Sequence, residues 1–173
     1  VDIIADCVLV TVPLGVLKRG VISFIPALPH RKLQAIENIN FGVLNKVILV
    51  FEKRFWDEKC DTFGFVQSHT RDRGRYFLIY SHNKGDENVI LALCAGEAAI
   101  EVESREDDEV VEDLLAHLRC AFPKADVGKP VASHVTRWGK DENTFGAYSS
   151  CSTRSTGDDY EEMSEPVGNI HFS

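Results

Sequence analysis

The sequence predicts an α+β fold in which helices flank an antiparallel sheet. Segments rich in β-branched and aromatic residues lie at 62–67, 75–81 and 89–95, and turn residues at 70–74 and 83–86 separate them. Two helical segments follow, one beginning near Gly96 and one at about 107–122. Because strands precede helices without regular strand–helix alternation, this order indicates the α+β class.

The remaining elements are assigned in the same way. Further strands are predicted at 8–12, around Lys46, at 131–138 and at 168–172, and further helices at 14–19, 31–39 and about 159–164. Within 31–39, Leu33, Ile36 and Ile39 are spaced to cover one side of a helix. The acidic run 107–109 suits the first turn of a helix, where the helix dipole favours negative charge, and is interpreted as a helix start.

Composition is that of an ordinary globular protein and excludes some classes of partner. Hydrophobic residues make up 44% and charged residues 27%, close to the average usage. No apolar run approaches the roughly 20 residues of a membrane-spanning helix. The net charge of −8 argues against non-specific nucleic-acid binding and permits a basic partner. We therefore predict neither a membrane nor a direct nucleic-acid partner.

The cysteines and histidines show no pattern typical of a metal site. The five cysteines are scattered without Cys-x-x-Cys spacing, and the six histidines have no ligand spacing. We predict no metal ligands and no disulfide framework, which favours a reducing compartment. Cys7 and Cys94 lie in apolar, strand-like runs, so both are expected to be small buried hydrophobic residues.

Lys46 is the most informative residue, because the sequence places it where a lysine is costly. In a strand through this segment, Val47 and Leu49 face one side, while Lys46 shares the other with Ile48 and Val50. Two apolar faces indicate a buried strand, and a buried lysine is rare unless it is paired or functional. The alternative is that Lys46 lies at the end of the strand and extends its amine to water.

Four blocks of sequence resemble one enzyme family in their order and spacing. The blocks are 11–18 (TVPLGVLK), 41–57 (FGVLNKVILVFEKRFWD), 93–99 (LCAGEAA) and 136–138 (TRW) with 146–149 (GAYS). Together they resemble the flavin-dependent amine oxidase superfamily, and within it the flavin-type lysine-specific histone demethylases. The resemblance covers essentially the whole chain.

This resemblance implies roles for particular residues. In the family, the lysine at the position of Lys46 holds a water against N5 of the flavin, so Lys46 is the expected catalytic residue. Aromatic residues at the positions of Trp138 and Tyr148 lie near the flavin ring, and the tyrosine also walls the amine-binding cage. The alternative for both is ordinary core packing. Asn143 stands where animal demethylases carry a second tryptophan, which leaves details of the ring environment open.

Three further site residues are implied. Thr11 and Pro13 end a strand whose counterpart in the family passes close to the flavin, and both are assigned to cofactor binding. Pro13 as a plain strand terminator is an equal alternative. Tyr80 lies where an aromatic residue lines the family's substrate cavity, and is assigned with Tyr148 to substrate binding.

The resemblance also implies a division of the chain. Residues 1–42 and 157–173 are expected to be parts of a Rossmann-like FAD-binding domain, and residues 43–156 to form the substrate-binding domain. The chain contains no Gly-x-Gly-x-x-Gly fingerprint for a pyrophosphate, and the family's Gly-Glu motif would begin just after Ser173. We therefore expect a C-terminal-half fragment whose main FAD anchors lie outside it. The similar run 95–99 is interpreted as a strand-to-helix junction.

The implied reaction is FAD-dependent demethylation of mono- or dimethyl-lysine, with the histone H3 tail as substrate. A hydride equivalent passes from the carbon beside the amine to FAD, the imine hydrolyses to formaldehyde and the demethylated amine, and O2 reoxidises the flavin to give H2O2. Nuclear location and corepressor-type partners are implied as well. The alternatives are a polyamine oxidase, cytoplasmic or peroxisomal, and a truncated binding module without catalysis.

Overall fold

A computed structural model describes residues 1–82 and 87–173, so the turn predicted at 83–86 lies outside the described residues. The chain forms two compact units. We call Val1–Gly42 together with Gly139–Ser173 the end unit, and Val43–Trp138 the sheet unit.

The described residues contain nine strands, five α-helices and a 3-10 turn at Thr70–Asp72. The strands are β1 (Val8–Val10), β2 (Asn40–Gly42), β3 (Leu44–Val50), β4 (Thr62–Phe63), β5 (Leu78–His82), β6 (Val89–Ala95), β7 (Ala132–Val135), β8 (Tyr148–Ser150) and β9 (Ile170–Phe172). The helices are α1 (Leu14–Arg19), α2 (His30–Asn38), α3 (Glu97–Ser104), α4 (Asp107–Ala121) and α5 (Gly157–Ser164).

The sheet unit is built on one five-stranded sheet in the order β4-β5-β6-β3-β7. Every neighbouring pair is antiparallel, which confirms the predicted α+β class with an antiparallel sheet. Strand β3 pairs with β6 along its whole length, from Leu44 opposite Ala95 to Val50 opposite Val89. On its other side, β3 pairs with β7.

One face of this sheet and two helices form the core of the sheet unit. Val47 and Leu49 of β3 and Ile90 of β6 are completely buried. Helix α4 contributes five buried residues, which lie one, three or four positions apart: Val110, Val111, Leu114, Leu115 and Leu118. This spacing gives an apolar stripe that packs against a sheet face. The acids of 107–109 lie in the first turn of α4, as expected for a helix start.

The end unit joins the first and last strands of the chain. β1 pairs in parallel with β9, with Val8 opposite Ile170 and Val10 opposite Phe172. β2 pairs with β8 in antiparallel fashion. Strands of two or three residues carry little periodic signal, so β2 and β8 were not predicted from the sequence. The end unit includes 139–156, which the predicted division assigns to the substrate-binding domain; that functional division stays a prediction.

Helix α2 buries a lysine that periodicity did not predict. Leu33, expected on the buried side, is 49% exposed, whereas Lys32 is 1% exposed. Lys32 Nζ donates to the carbonyl oxygens of Glu162 (2.5 Å) and Met163 (3.1 Å) near the end of α5, and lies 4.3 Å from the centroid of the Phe172 ring. The prediction that Leu33 is buried was wrong. Lys32 is buried instead, because its amine satisfies carbonyls that the end of a helix leaves unpaired.

Two predicted strands of the sheet unit are shorter than expected. The strand at 62–67 is reduced to β4, and the strand at 75–81 begins only at Leu78. Tyr76 adopts a φ of 46°, which lies in the left-handed region and cannot continue a strand. Its side chain is nevertheless buried, and its hydroxyl donates to Asp113 Oδ2 at 3.0 Å.

Candidate active site

Lys46 projects from the sheet face opposite the core. Burial alternates along β3, so that Asn45, Val47 and Leu49 are buried and Lys46 is half-buried, which confirms the predicted alternation of faces. Leu93 lies opposite Lys46, and Leu78 lies opposite Leu93 on the next strand, which puts all three side chains on one face. Within the described residues, the Lys46 ammonium makes no ion pair or hydrogen bond.

Tyr80 occupies the same sheet face as Lys46. It lies opposite Leu91 of β6, which in turn lies opposite Ile48 of β3. Tyr80 is therefore two strands from β3, a separation of roughly 10 Å in the hydrogen-bonding direction. Its side chain is 45% exposed, so this face of the sheet presents an amine and a phenol with apolar side chains between them.

Trp138 follows β7 and is bonded to the residue next to Lys46. Its backbone N–H donates to Asn45 Oδ1 at 3.0 Å, and its side chain is half-buried. Thr136 contributes a second link, since the N–H of Lys46 donates to Thr136 Oγ1 at 2.8 Å. The sheet unit thus places Trp138 and Lys46 on neighbouring segments joined by side-chain hydrogen bonds.

Thr11 and Pro13 line a cavity of about 300 Å³ within the end unit. The cavity walls also include Phe41, Phe172 and Ser173. Pro13 precedes α1 directly, and the segment before it is fixed by β1, since Ser173 N donates to Val10 O at 3.2 Å. Thr11 and Pro13 therefore follow directly on a strand that is paired with β9.

Tyr148 lies on β8 opposite Gly42 and is 56% exposed. Its neighbour Ser149, rather than Tyr148 itself, lines the cavity of the end unit. Gly146 has a φ of 154°, and a Cβ there would overlap the Phe41 ring. The turn before Tyr148 therefore requires glycine by close packing as well as by backbone conformation.

No group of three or more possible metal ligands is found in residues 1–82 and 87–173. The described helices include none long and apolar enough to cross a membrane. Cys94 is buried as predicted, and burial raises the pKa of its thiol to about 11. Cys7 is exposed, so the expectation that it is buried was wrong: it precedes β1, whose residues Val8 and Leu9 are themselves exposed.

The chain matches one family of enzymes along almost its whole length. Residues 2–173 match the family described as flavin containing amine oxidoreductase. The chain belongs to this family, whose cofactor is a flavin.

Within this family, the chain is similar to curated proteins named as histone demethylases. The chain is 48% identical over 165 residues to "Lysine-specific histone demethylase 1 homolog 1" of Oryza sativa subsp. japonica, covering 94% of this chain and 19% of that protein. It is 40% identical to "Histone demethylase-like protein A" of Aspergillus fumigatus, covering 98% of this chain and 17% of that protein. The chain thus spans about a fifth of the length of these relatives.

Solved structures of amine oxidases share the fold. Wild-type putrescine oxidase bound to putrescine superimposes with a TM-score of 0.76 at 29% identity, covering 96% of this chain and 36% of that chain. Cyclohexylamine oxidase from Brevibacterium oxydans gives a TM-score of 0.74 at 21% identity, which supports the fold alone.

The cavity of the end unit fits part of a flavin. The residues that line it include the apolar Pro13, Phe41 and Phe172 and two residues that carry a hydroxyl, Thr11 and Ser173. A flat ring with polar atoms at its rim suits such a lining, and about 300 Å³ lies at the lower end of the range for ligand pockets. The sequence lacks a glycine-rich fingerprint for the pyrophosphate, so the fit concerns the ring portion.

Sequence reasoning missed Asn45 and Thr136, which join the segments that carry Lys46 and Trp138. The signal for Asn45 was present, because it falls on the same side of the strand as Val47 and Leu49. An amide on a core-facing position must find hydrogen-bond partners. Thr136 gave no comparable signal, since its role depends on the register between β3 and β7.

Proposed function

We propose that this chain is part of a flavin-dependent amine oxidase that demethylates mono- and dimethyl-lysine, with FAD as its cofactor. The observation that carries the proposal is the half-buried Lys46 on an apolar sheet face that also bears Tyr80. Family membership and the demethylase names of the curated relatives support the same assignment.

The sheet face supplies binding and water exclusion in this proposal. Ile48 and Leu91, both half-buried, offer apolar surface to the aliphatic part of a lysine side chain, and the ring of Tyr80 attracts a methylated amine through its π face. Excluding water strengthens every electrostatic contact made on that face. These residues therefore orient the amine and its methyl carbon.

Lys46 supplies the proton-handling group. Its ammonium is without an ion pair or hydrogen bond among the described residues, so it is free to hold a water or exchange a proton beside the substrate nitrogen. The bound flavin supplies the hydride acceptor. Trp138, Tyr148, Thr11 and Pro13 are proposed to shape the space around the flavin.

The substrate proposed is a histone H3 tail, and the location proposed is the nucleus. The net charge of −8 complements a basic peptide, and the relatives' names point to histone demethylation. Corepressor-type partners of the whole protein belong to the same proposal. Trimethyl-lysine is excluded as a substrate because its nitrogen has no lone pair to stabilise the developing imine.

The second candidate is a polyamine oxidase, located in the cytoplasm or peroxisome. The similarity to putrescine oxidase bound to putrescine, with a TM-score of 0.76 at 29% identity, favours it specifically. A polyamine and a methyl-lysine side chain share an alkyl chain ending in an amine, and the apolar sheet face accommodates either.

A substrate panel separates these candidates. The natural protein containing this chain is purified with its flavin and mixed anaerobically with mono-, di- and trimethyl-lysine peptides of one sequence, and separately with putrescine and spermine. We expect flavin bleaching with mono- and dimethyl peptides, none with the trimethyl control, and formaldehyde and H2O2 in equal amounts when O2 is admitted. Faster bleaching by polyamines than by every peptide would favour the second candidate.

A further inference from the structure

The β3–β7 ladder ends in an unusual way beside Lys46. Register continues from Ile48 opposite His134, which brings Thr136 opposite Lys46. The N–H of Thr136 donates to the Lys46 carbonyl at 3.0 Å, as in a regular ladder. In return, the N–H of Lys46 donates to the Thr136 hydroxyl at 2.8 Å. A side chain therefore takes the place of the ladder carbonyl at this position.

Asn45 continues this link into the core. It is completely buried, and its Oδ1 accepts from Thr136 Oγ1 at 3.1 Å and from the N–H of Trp138 at 3.0 Å. Its Nδ2 donates to Glu103 Oε1 at 2.8 Å and to the carbonyl oxygen of Ala99 at 3.2 Å. The amide thus uses its acceptor on one side and both donors on the other, which fixes its orientation.

We propose that Asn45 and Thr136 are positioning residues that hold Lys46 and Trp138 in one fixed arrangement. This inference rests on the proposed function, because it assigns the two residues to the geometry of the amine-oxidising site. Neither side chain needs to touch a substrate or a cofactor. Each acts through the backbone of the residue it bonds.

The burial of Asn45 at the centre of the network explains why it suits this role. A buried polar network whose members are all satisfied is rigid, and loss of one partner leaves a buried donor or acceptor unpaired. Thr136 bridges strand β3 to the segment after β7, and Asn45 bridges that segment to helix α3 through Ala99 and Glu103. Three separate segments must keep their register for all five side-chain hydrogen bonds to form.

A matched pair of variants at Thr136 tests the proposal in the natural, flavin-loaded protein. Thr136→Val keeps the size of the side chain and removes the hydroxyl, whereas Thr136→Ser keeps the hydroxyl. We expect Thr136→Val to slow flavin reduction at saturating substrate by up to about 10²-fold, the effect of a small displacement of reacting groups, and Thr136→Ser to stay close to the unaltered protein. Equal rates per bound flavin in both variants would overturn the proposal, because a purely structural role changes the amount of loaded protein and not the rate.

Two substitutions that together conserve the net charge, Asn45→Asp and Glu103→Gln, test the other side of the network. Asn45→Asp places a carboxylate against Glu103 and the Ala99 carbonyl, and we expect a slow enzyme. Adding Glu103→Gln restores one donor between the same two side chains and should recover part of the rate. Failure of Glu103→Gln to improve the Asn45→Asp protein would contradict the proposed connection.

A readout that needs no catalysis keeps this inference separate from the proposed function. The measurement uses the 173-residue chain with Trp56→Phe, in which Trp138 is the single tryptophan. Its emission and acrylamide quenching report the position of Trp138. We expect Thr136→Val and Asn45→Asp to change both signals and Thr136→Ser to leave them unchanged. If no amine reduces the flavin of the unaltered protein, the proposed function fails alone; unchanged Trp138 emission in Thr136→Val and Asn45→Asp overturns the positioning role.

Discussion

At the scale of residues, two neighbours on β3 face opposite sides of the sheet. Asn45 faces the core, where its amide makes four hydrogen bonds. Lys46 faces the opposite side and is half-buried. Because a strand alternates its faces, one residue can be anchored in the core while the next presents an amine to the open face.

Replacement of Lys46 by methionine is expected to slow flavin reduction in the natural protein by about 10²–10⁴-fold, the usual contribution of one positioned proton-handling group. Methionine keeps the unbranched, apolar part of the side chain and removes the amine, so flavin content should not change. Stopped-flow reduction under anaerobic conditions measures the rate. Lys53→Met, at an exposed position on the chain just after β3, is the control. A Lys46→Met enzyme with unaltered reduction would remove Lys46 from the mechanism.

At the scale of elements, helix α5 depends on a capping box at its start. The N–H of Thr156 donates to Asp159 Oδ2 at 2.8 Å, and the Asn38 side chain donates to Asp159 Oδ1 at 3.2 Å. The Thr156 N–H is the main cause that lowers the pKa of Asp159. Since Tyr160 and Met163 of α5 line the cavity of the end unit, the cap also fixes one wall of that cavity.

The lowered pKa of Asp159 gives this cap a pH dependence. A carboxyl group whose pKa is lower in the folded state stabilises that state fully at pH values above its unfolded pKa of about 3.9. This stabilisation is lost as the pH falls through the lower pKa of the folded state. Asp159→Asn should therefore be less stable than the unaltered chain near neutral pH, with the difference shrinking in acid. Unfolding followed by circular dichroism at several pH values measures it, with Asp158→Asn in the same turn as control. A difference that persists unchanged to pH 2 would rule out the charge of Asp159 as its source.

At the scale of the whole molecule, the two units differ in how their strands are supported. β3 pairs with β6 and β7 and packs on a continuous core. β1 and β9 form a two-stranded pair of three residues each, and Val8 and Leu9 are exposed. A short pair with exposed side chains opens at a lower free-energy cost than a central strand with two neighbours.

Amide hydrogen exchange is expected to follow this difference. Amides of β3 and β6 should exchange slowest, and those of β1 should exchange faster, by opening that does not require unfolding of the sheet unit. Mass spectrometry of peptides covering each strand provides the measurement. Equal protection of β1 and β3 would mean that the chain opens as one cooperative body, contrary to this expectation.

Much of the fold and part of the site followed from local sequence. Helix α1 and strand β6 occupy the predicted residues, because each is bounded by a proline, glycine or turn that the sequence displays. The alternation that makes Lys46 conspicuous is likewise local. The burial of Lys32 and the exposure of Leu33 were not predictable in this way, because the carbonyls that Lys32 satisfies belong to a helix some 130 residues later.

The sequence by itself determined the family, the antiparallel sheet and the face of the strand that carries Lys46, since these depend on motifs and on a period of two residues. Tertiary structure alone decided which segments meet: β1 with β9, β2 with β8, and Asn45 with Thr136 and Trp138. Such pairings depend on register between distant segments, and a hydrogen bond across some 90 residues leaves no periodic signal in the sequence. The unusual position of the lysine was therefore visible in the sequence, and the hydrogen bonds around it became visible only in the fold.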